Sequence, residues 1–140
     1  MCIRDSTCPI RVKAFLQKIL KTIICDIDGT LTKYTGRGHL GIVSEDHKLL
    51  PGVLERMRKW EMKGHRIILI TGRRESVRER TESELRRLGV PFDMLLMGYA
   101  DSGRILINDI SPHVGRKAHT INVPRDAGWD DVDWSEAGLD

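Results

Sequence analysis

The feature that most limits what this chain can become is a set of five short apolar runs. They are Thr22–Ile27, Arg66–Gly72, Asp93–Gly98, Arg104–Asp109 and His119–Val123. Runs of this length suit buried strands better than helices. Two amphipathic stretches separate the first three. Pro51–Lys63 sets Val53, Met57 and Trp60 on one helical face, with Pro51 near its start and Gly64 after its end. Glu75–Leu88 aligns Val77, Thr81, Leu85 and Leu88 in a stripe and stops at Gly89. A further amphipathic stretch, Ile10–Leu20, precedes the first run. Strands alternating with helices predict βαβ units: an α/β fold of three layers, α/β/α, around a mostly parallel sheet. With 140 residues the chain fits a single domain.

In open sheets of this kind ligands bind at the carboxyl ends of the strands, so the residues standing there are read first. The first run ends in Asp26-Ile27-Asp28-Gly29-Thr30, the second in Thr71-Gly72-Arg73-Arg74, the fourth in Asn108-Asp109. In extended chain, residues two apart point to one side, so Asp26 and Asp28 can face one pocket. Two carboxylates that close resist ionising together unless a cation neutralises them. Mg²⁺ fits, being a hard cation that takes oxygen ligands and completes its shell with substrate phosphate. A carboxylate can also attack phosphorus while a second one moves protons. Thr71 offers a hydroxyl to phosphate oxygens, Gly72 permits close approach, and Arg73 and Arg74 carry forked donors that suit an anion. Asp109 is the candidate third acidic metal ligand, with Asn108 adding a neutral oxygen or orienting a water. The competing reading of Asn108-Asp109 is a helix cap before Ser111-Pro112.

The ordered set DIDGTLT, then TGR, then an apolar strand ending in an acidic residue resembles the haloacid dehalogenase superfamily of phosphatases. The resemblance runs from Ile23 to about Arg125. It implies a Rossmann-like fold with Asp26 as nucleophile and Asp28 as general acid/base. It also implies Thr71, Gly29, Thr30 and Gly72 around the phosphate. Mg²⁺ would be held by Asp26, the Asp28 main-chain carbonyl and Asp109. Two departures stand out. Such enzymes place a lysine or arginine between the second and last motifs, and no lysine lies between Lys63 and Lys117, so Arg104 is expected to take that part rather than Arg86 or Arg87. Asn108 stands where many members have glycine or aspartate.

Neither the connection after the first strand nor that after the third is long enough for a large cap domain, which leaves the site open. "DGTLTKYTGRG" is similar to the opening of the phage polynucleotide kinase 3′-phosphatase domain. "TGRRESVRERTESELRRLGVPFD", with "LIND" and "INVPRDAG", is similar to small phosphatases of bacterial sugar biosynthesis. The first expectation is a phosphomonoesterase acting on a small phosphorylated metabolite such as a sugar phosphate, in a site that a neighbouring subunit of a homo-oligomer would enclose. A nucleic-acid 3′-end phosphatase comes second, because Tyr34 and Tyr99 are the only aromatic candidates near strand ends for stacking on bases. A phosphate-binding module without turnover comes third, since a pure binder has no need of Asp28.

Charge favours an anionic partner. The net +3 divides into −6 on residues 126–140 and +9 on the remainder. The first six residues read as a translated sequencing adapter and are set apart, which leaves 7–125 as the phosphatase domain and 126–140 as an acidic tail that Trp129 and Trp134 would clamp or leave loose. No apolar run reaches the ~18 residues of a membrane span, and without a secretory signal a cytoplasmic protein is expected. "GRGHLG" (36–41) matches the dinucleotide-binding glycine pattern but neither follows a strand nor opens a periodic helix, so a flap over the site is expected there. Cys2, Cys8 and Cys25 fit no zinc spacing, and Cys25 reads as a small apolar residue inside the first strand.

Overall fold

The structure, a computed structural model, describes residues 11, 20–44, 46–99 and 102–140. Met1–Ser6, with Cys2, and also Cys8 and most of the amphipathic stretch Ile10–Leu20 lie outside the described residues. The elements in chain order are β1 (Thr22–Cys25), α1 (Gly38–Ser44), α2 (Val53–Lys63), β2 (Arg66–Thr71), α3 (Arg78–Leu88), β3 (Met94–Met97), β4 (Ile110–Ser111) and β5 (Gly115–Arg116). Strands β1, β2 and β3 pair in that order and all run parallel, with Ile24 opposite Ile68 and Ile68 opposite Met94. Helices α2 and α3 are the two crossovers. The expected α/β fold with a parallel sheet is what the chain forms, and no large cap is present among the described residues.

Each element follows from its sequence. In α2, Val53, Met57 and Trp60 fall on one face at helical spacing and are buried. Gly64, in the left-handed region at φ 89°, ends the helix by donating its N–H to the Glu61 and Trp60 carbonyls. In β2, Ile67, Leu69 and Thr71 alternate inward, joining Leu95 and Met97 of β3 and Met57, Trp60 and Leu85 of the helices in one apolar core.

Two expected strands are absent. Arg104–Asp109 is irregular, with Ile105 and Ile107 almost fully exposed, at 90% and 87%. His119–Val123 is also irregular, although Ile121 and Val123 pack partly on the core. Apolar periodicity reports propensity, whereas a strand exists only where a neighbour supplies the hydrogen-bond ladder. Nothing pairs with Arg104–Asp109 among the described residues; β4 and β5 make a separate two-residue hairpin beyond it.

The acidic tail is clamped rather than loose. Trp129 and Trp134 are buried against Trp60, the three ring centroids standing 5.0 to 5.4 Å apart. The Trp60 indole N–H donates to the Leu139 carbonyl at 3.3 Å, and Trp129 donates its main-chain N–H to the Pro51 carbonyl.

Candidate active site

The site is built at the carboxyl end of β1. Past Cys25 the chain leaves the sheet, buries Ile27 and turns tightly. The main-chain N–H groups of Thr30, Leu31 and Thr32 all point at the Ile27 carbonyl, and Gly29 donates to the Thr32 carbonyl at 2.7 Å. Gly29 carries the positive φ (85°) that the turn demands, and a Cβ there would press on the Arg125 side chain. Within this turn the Thr30 hydroxyl donates to Asp26 Oδ2 at 3.2 Å, and Arg104 Nη2 stands 3.4 Å from Asp26 Oδ1. The expected cation therefore does reach the expected nucleophile. Asp26 keeps its side chain about a third exposed, open to a ligand approaching from solvent.

Asp28 is held differently. Arg73 Nε donates to its Oδ2 at 2.9 Å and Nη2 to its Oδ1 at 2.7 Å, a bidentate fork. Arg73 is buried, and Nη1 reaches the Thr81 hydroxyl at 3.2 Å and lies 3.5 Å from Glu84 Oε2. Burial pulls the guanidinium's pKa down, yet the bonds and charge of Asp28, with those of Glu84, outweigh it and hold it above its ordinary value. The sequence placed Arg73 on the substrate phosphate; the structure instead takes up its donors on Asp28, Thr81 and Glu84. Arg74 is the exposed arginine of the pair.

Thr71 ends β2, buried, its hydroxyl accepting from the Arg73 N–H at 3.1 Å. Its carbonyl accepts from the Tyr99 N–H, and the Arg73 carbonyl from the Gly98 N–H, which ties the loop after β3 to the Thr71-Gly72-Arg73 turn. Two exposed tyrosines stand nearby, one on the loop after β3 and one on the connection after β1. Tyr99 is the first. Tyr34, the second, donates its main-chain N–H to Asp126 Oδ1 at 2.6 Å and lies under the Arg125 guanidinium, 4.1 Å from the ring centroid.

Asn108 and Asp109 are not brought to this turn as metal ligands. Both are exposed in the irregular segment, and Asp109 pairs with Lys117, which holds its carboxyl below the usual carboxylate range. Among the described residues no three His, Cys, Asp or Glu side chains gather as a metal-holding group. What the turn does present is one accessible carboxylate, Asp26, and the adjoining main chain. That donor set suits a cation such as Mg²⁺, which binds through one or two carboxylates plus substrate phosphate rather than in an all-protein cage. Cys25, inside the strand, has its thiol pushed far up by burial and by Asp26, so it stays protonated.

Sequence reasoning missed Glu84, Thr81 as a polar contact, His47 and Asp126. Glu84 left a signal, since it falls three residues after Thr81 and beside Leu85 on the buried side of α3. His47 left none.

The profile of the polynucleotide kinase PNKP phosphatase domain matches residues 20–104, more than half of the chain. Two solved structures of the Pnkp1/Rnl/Hen1 assembly are similar. One superposes with TM-score 0.51 at 31% identity, covering 62% of this chain and 31% of that one. The other, described as an RNA repair complex, superposes with TM-score 0.50 at 32% identity, covering 61% and 28%. Membrane-associated phosphatidylinositol transfer protein 3 of Mus musculus is 28% identical over 91 residues, 65% of this chain and 9% of that protein. The chain thus spans under a tenth of that curated relative and under a third of the similar solved chains. No helix among the described residues is long and apolar enough to cross a membrane.

Proposed function

The chain belongs to the polynucleotide kinase PNKP phosphatase domain family, of the haloacid dehalogenase type, and from that premise we propose that it is a Mg²⁺-dependent phosphomonoesterase acting on the 3′-phosphorylated end of a nucleic acid. Asp26 attacks phosphorus in line, forming the Oδ–P bond as the ester P–O bond breaks, and Asp28 gives its proton to the departing oxygen. Asp28 then takes a proton from water, whose oxygen attacks the aspartyl-phosphate, releasing inorganic phosphate and restoring Asp26. Arg104 balances the charge of Asp26, and Thr30, Thr71, Gly72 and Arg74 line the phosphate's approach. Asp26 and the Asp28 main-chain carbonyl would hold Mg²⁺, which neutralises phosphoryl charge when bound.

The observation that carries the substrate assignment is the family match over the very residues that form the site. The placement of aromatics agrees with it. Tyr34 and Tyr99 are exposed on the two loops that flank the turn, with Arg125 against Tyr34, a pairing suited to an unpaired base and its backbone. These points reverse the order expected from sequence, in which a small metabolite came first. The test is phosphate release from a 3′-phosphoryl oligonucleotide measured beside a panel of sugar phosphates. The oligonucleotide should be preferred, and its turnover at subsaturating substrate should fall as salt rises, because backbone contacts release counterions. Preference for a sugar phosphate, indifferent to salt, would return the substrate to the small-metabolite class.

A further inference from the structure

The Asp28 fork is one end of a longer chain of contacts. Arg73 carries about 2 kcal/mol of side-chain rotamer entropy when free, so a guanidinium that aims a carboxylate must itself be fixed. Two groups on α3, one turn apart, do this from the far side: the Thr81 hydroxyl and the Glu84 carboxylate. Glu84 is fixed in turn by His47, whose Nδ1 lies 3.1 and 3.2 Å from its two carboxylate oxygens. Against an ionised Glu84, which only accepts, the tautomer that satisfies this contact carries its proton on Nδ1. Asp28 is 23% exposed, whereas Arg73, Glu84 and His47 behind it are buried at 1%, 7% and 2%.

Stability is a weak reason for this arrangement. Buried ion networks are commonly matched or bettered by apolar residues of similar volume, and Glu84 occupies the inward side of a helix whose neighbours there are Thr81 and Leu85. What an apolar residue cannot do is give Arg73 Nη1 a charged acceptor beside the Thr81 hydroxyl, opposite Asp28. We propose that Glu84 and His47 are positioning residues for the Asp28 carboxylate, acting on it through Arg73. The inference rests on the reading of Asp28 as proton donor to the leaving oxygen.

A positioning role and a purely structural one separate in their dependence on the leaving group. A basic leaving oxygen needs the proton, whereas p-nitrophenolate departs with little help. The experiment measures kcat and KM for a series of aryl phosphates from p-nitrophenyl to phenyl, with Asp28→Asn as reference. Asp28→Asn should lose far more on phenyl than on p-nitrophenyl phosphate. Glu84→Gln keeps an acceptor but removes the charge. It should show the same split at smaller amplitude, about tenfold between the two esters, with KM unchanged. His47→Ala should split likewise and His47→Asn, whose amide reaches where Nδ1 stands, should restore the wild-type ratio. Equal losses on every ester, or none, in Glu84→Gln would overturn the inference; should that variant not fold, the same outcomes in His47→Ala decide. If Asp28→Asn itself shows no split, the proton-donor reading falls and takes this inference with it. If only Asp28→Asn splits, that reading stands and the positioning role is lost.

Discussion

Asp26 and Asp28 lie two positions apart and meet opposite fates. Asp26 stays accessible, touched by Thr30 and Arg104, whereas Asp28 is gripped at both oxygens by buried Arg73. In the proposed reaction, these different environments would let two carboxylates in one turn divide the work of attack and proton transfer. The type and place of these residues were legible in sequence because the strand-end rule points straight at them. The partner of Arg73 was not, because it depends on which way a long side chain leaves its loop. Arg104 gives the sharpest residue-scale expectation. Arg104→Ala should lower kcat by about a hundredfold, the scale of losing one preorganised charge partner. Arg86→Ala should leave kcat unchanged, since that side chain is 71% exposed and pairs with Glu82 on its own helix. Steady-state kinetics on p-nitrophenyl phosphate decides, and the reverse result would move the cation onto α3.

At the scale of elements, β1 to β3 and the helices α2 and α3 follow their periodicity and their glycine stops closely. Thr22, Arg66 and Met94 open strands within a residue of where the apolar runs begin. Arg104–Asp109 shows the limit of such reading. Its residues read as a strand as well as β3 does, but the pairing that makes a strand is a property of two segments, and among the described residues no neighbour supplies it. The consequence is measurable by urea unfolding. Ile107→Ala, at an 87% exposed position, should change stability by no more than about 0.5 kcal/mol. Ile67→Ala, at a buried position of β2, should cost about 2–5 kcal/mol. A comparable loss at both would place Ile107 in the core and restore the fourth strand.

Across the whole molecule, the acidic tail joins the site to the core. Asp126, itself in the left-handed region at φ 63°, donates its N–H to the Gly29 carbonyl and accepts from Tyr34, so the tail's first residue braces the turn that carries both aspartates. Thirteen residues on, Leu139 is tied to Trp60 and Arg56 of α2. Composition made this stretch look like a solvated appendage, because six acids mask two indoles; only the packing on Trp60 shows what the indoles are for. Trp129→Ala should therefore cost about 3–5 kcal/mol of stability, read as a lowered urea midpoint, and an unchanged midpoint would detach the tail from the fold.

The proposed reaction begins with a carboxylate oxygen of Asp26 attacking phosphorus. The direct measurement is phosphate release from p-nitrophenyl phosphate in Mg²⁺ by wild type and Asp26→Asn, each shown to be folded by circular dichroism. Wild type should turn over and Asp26→Asn should fall to background with its spectrum unaltered; sustained turnover by folded Asp26→Asn would contradict the central claim.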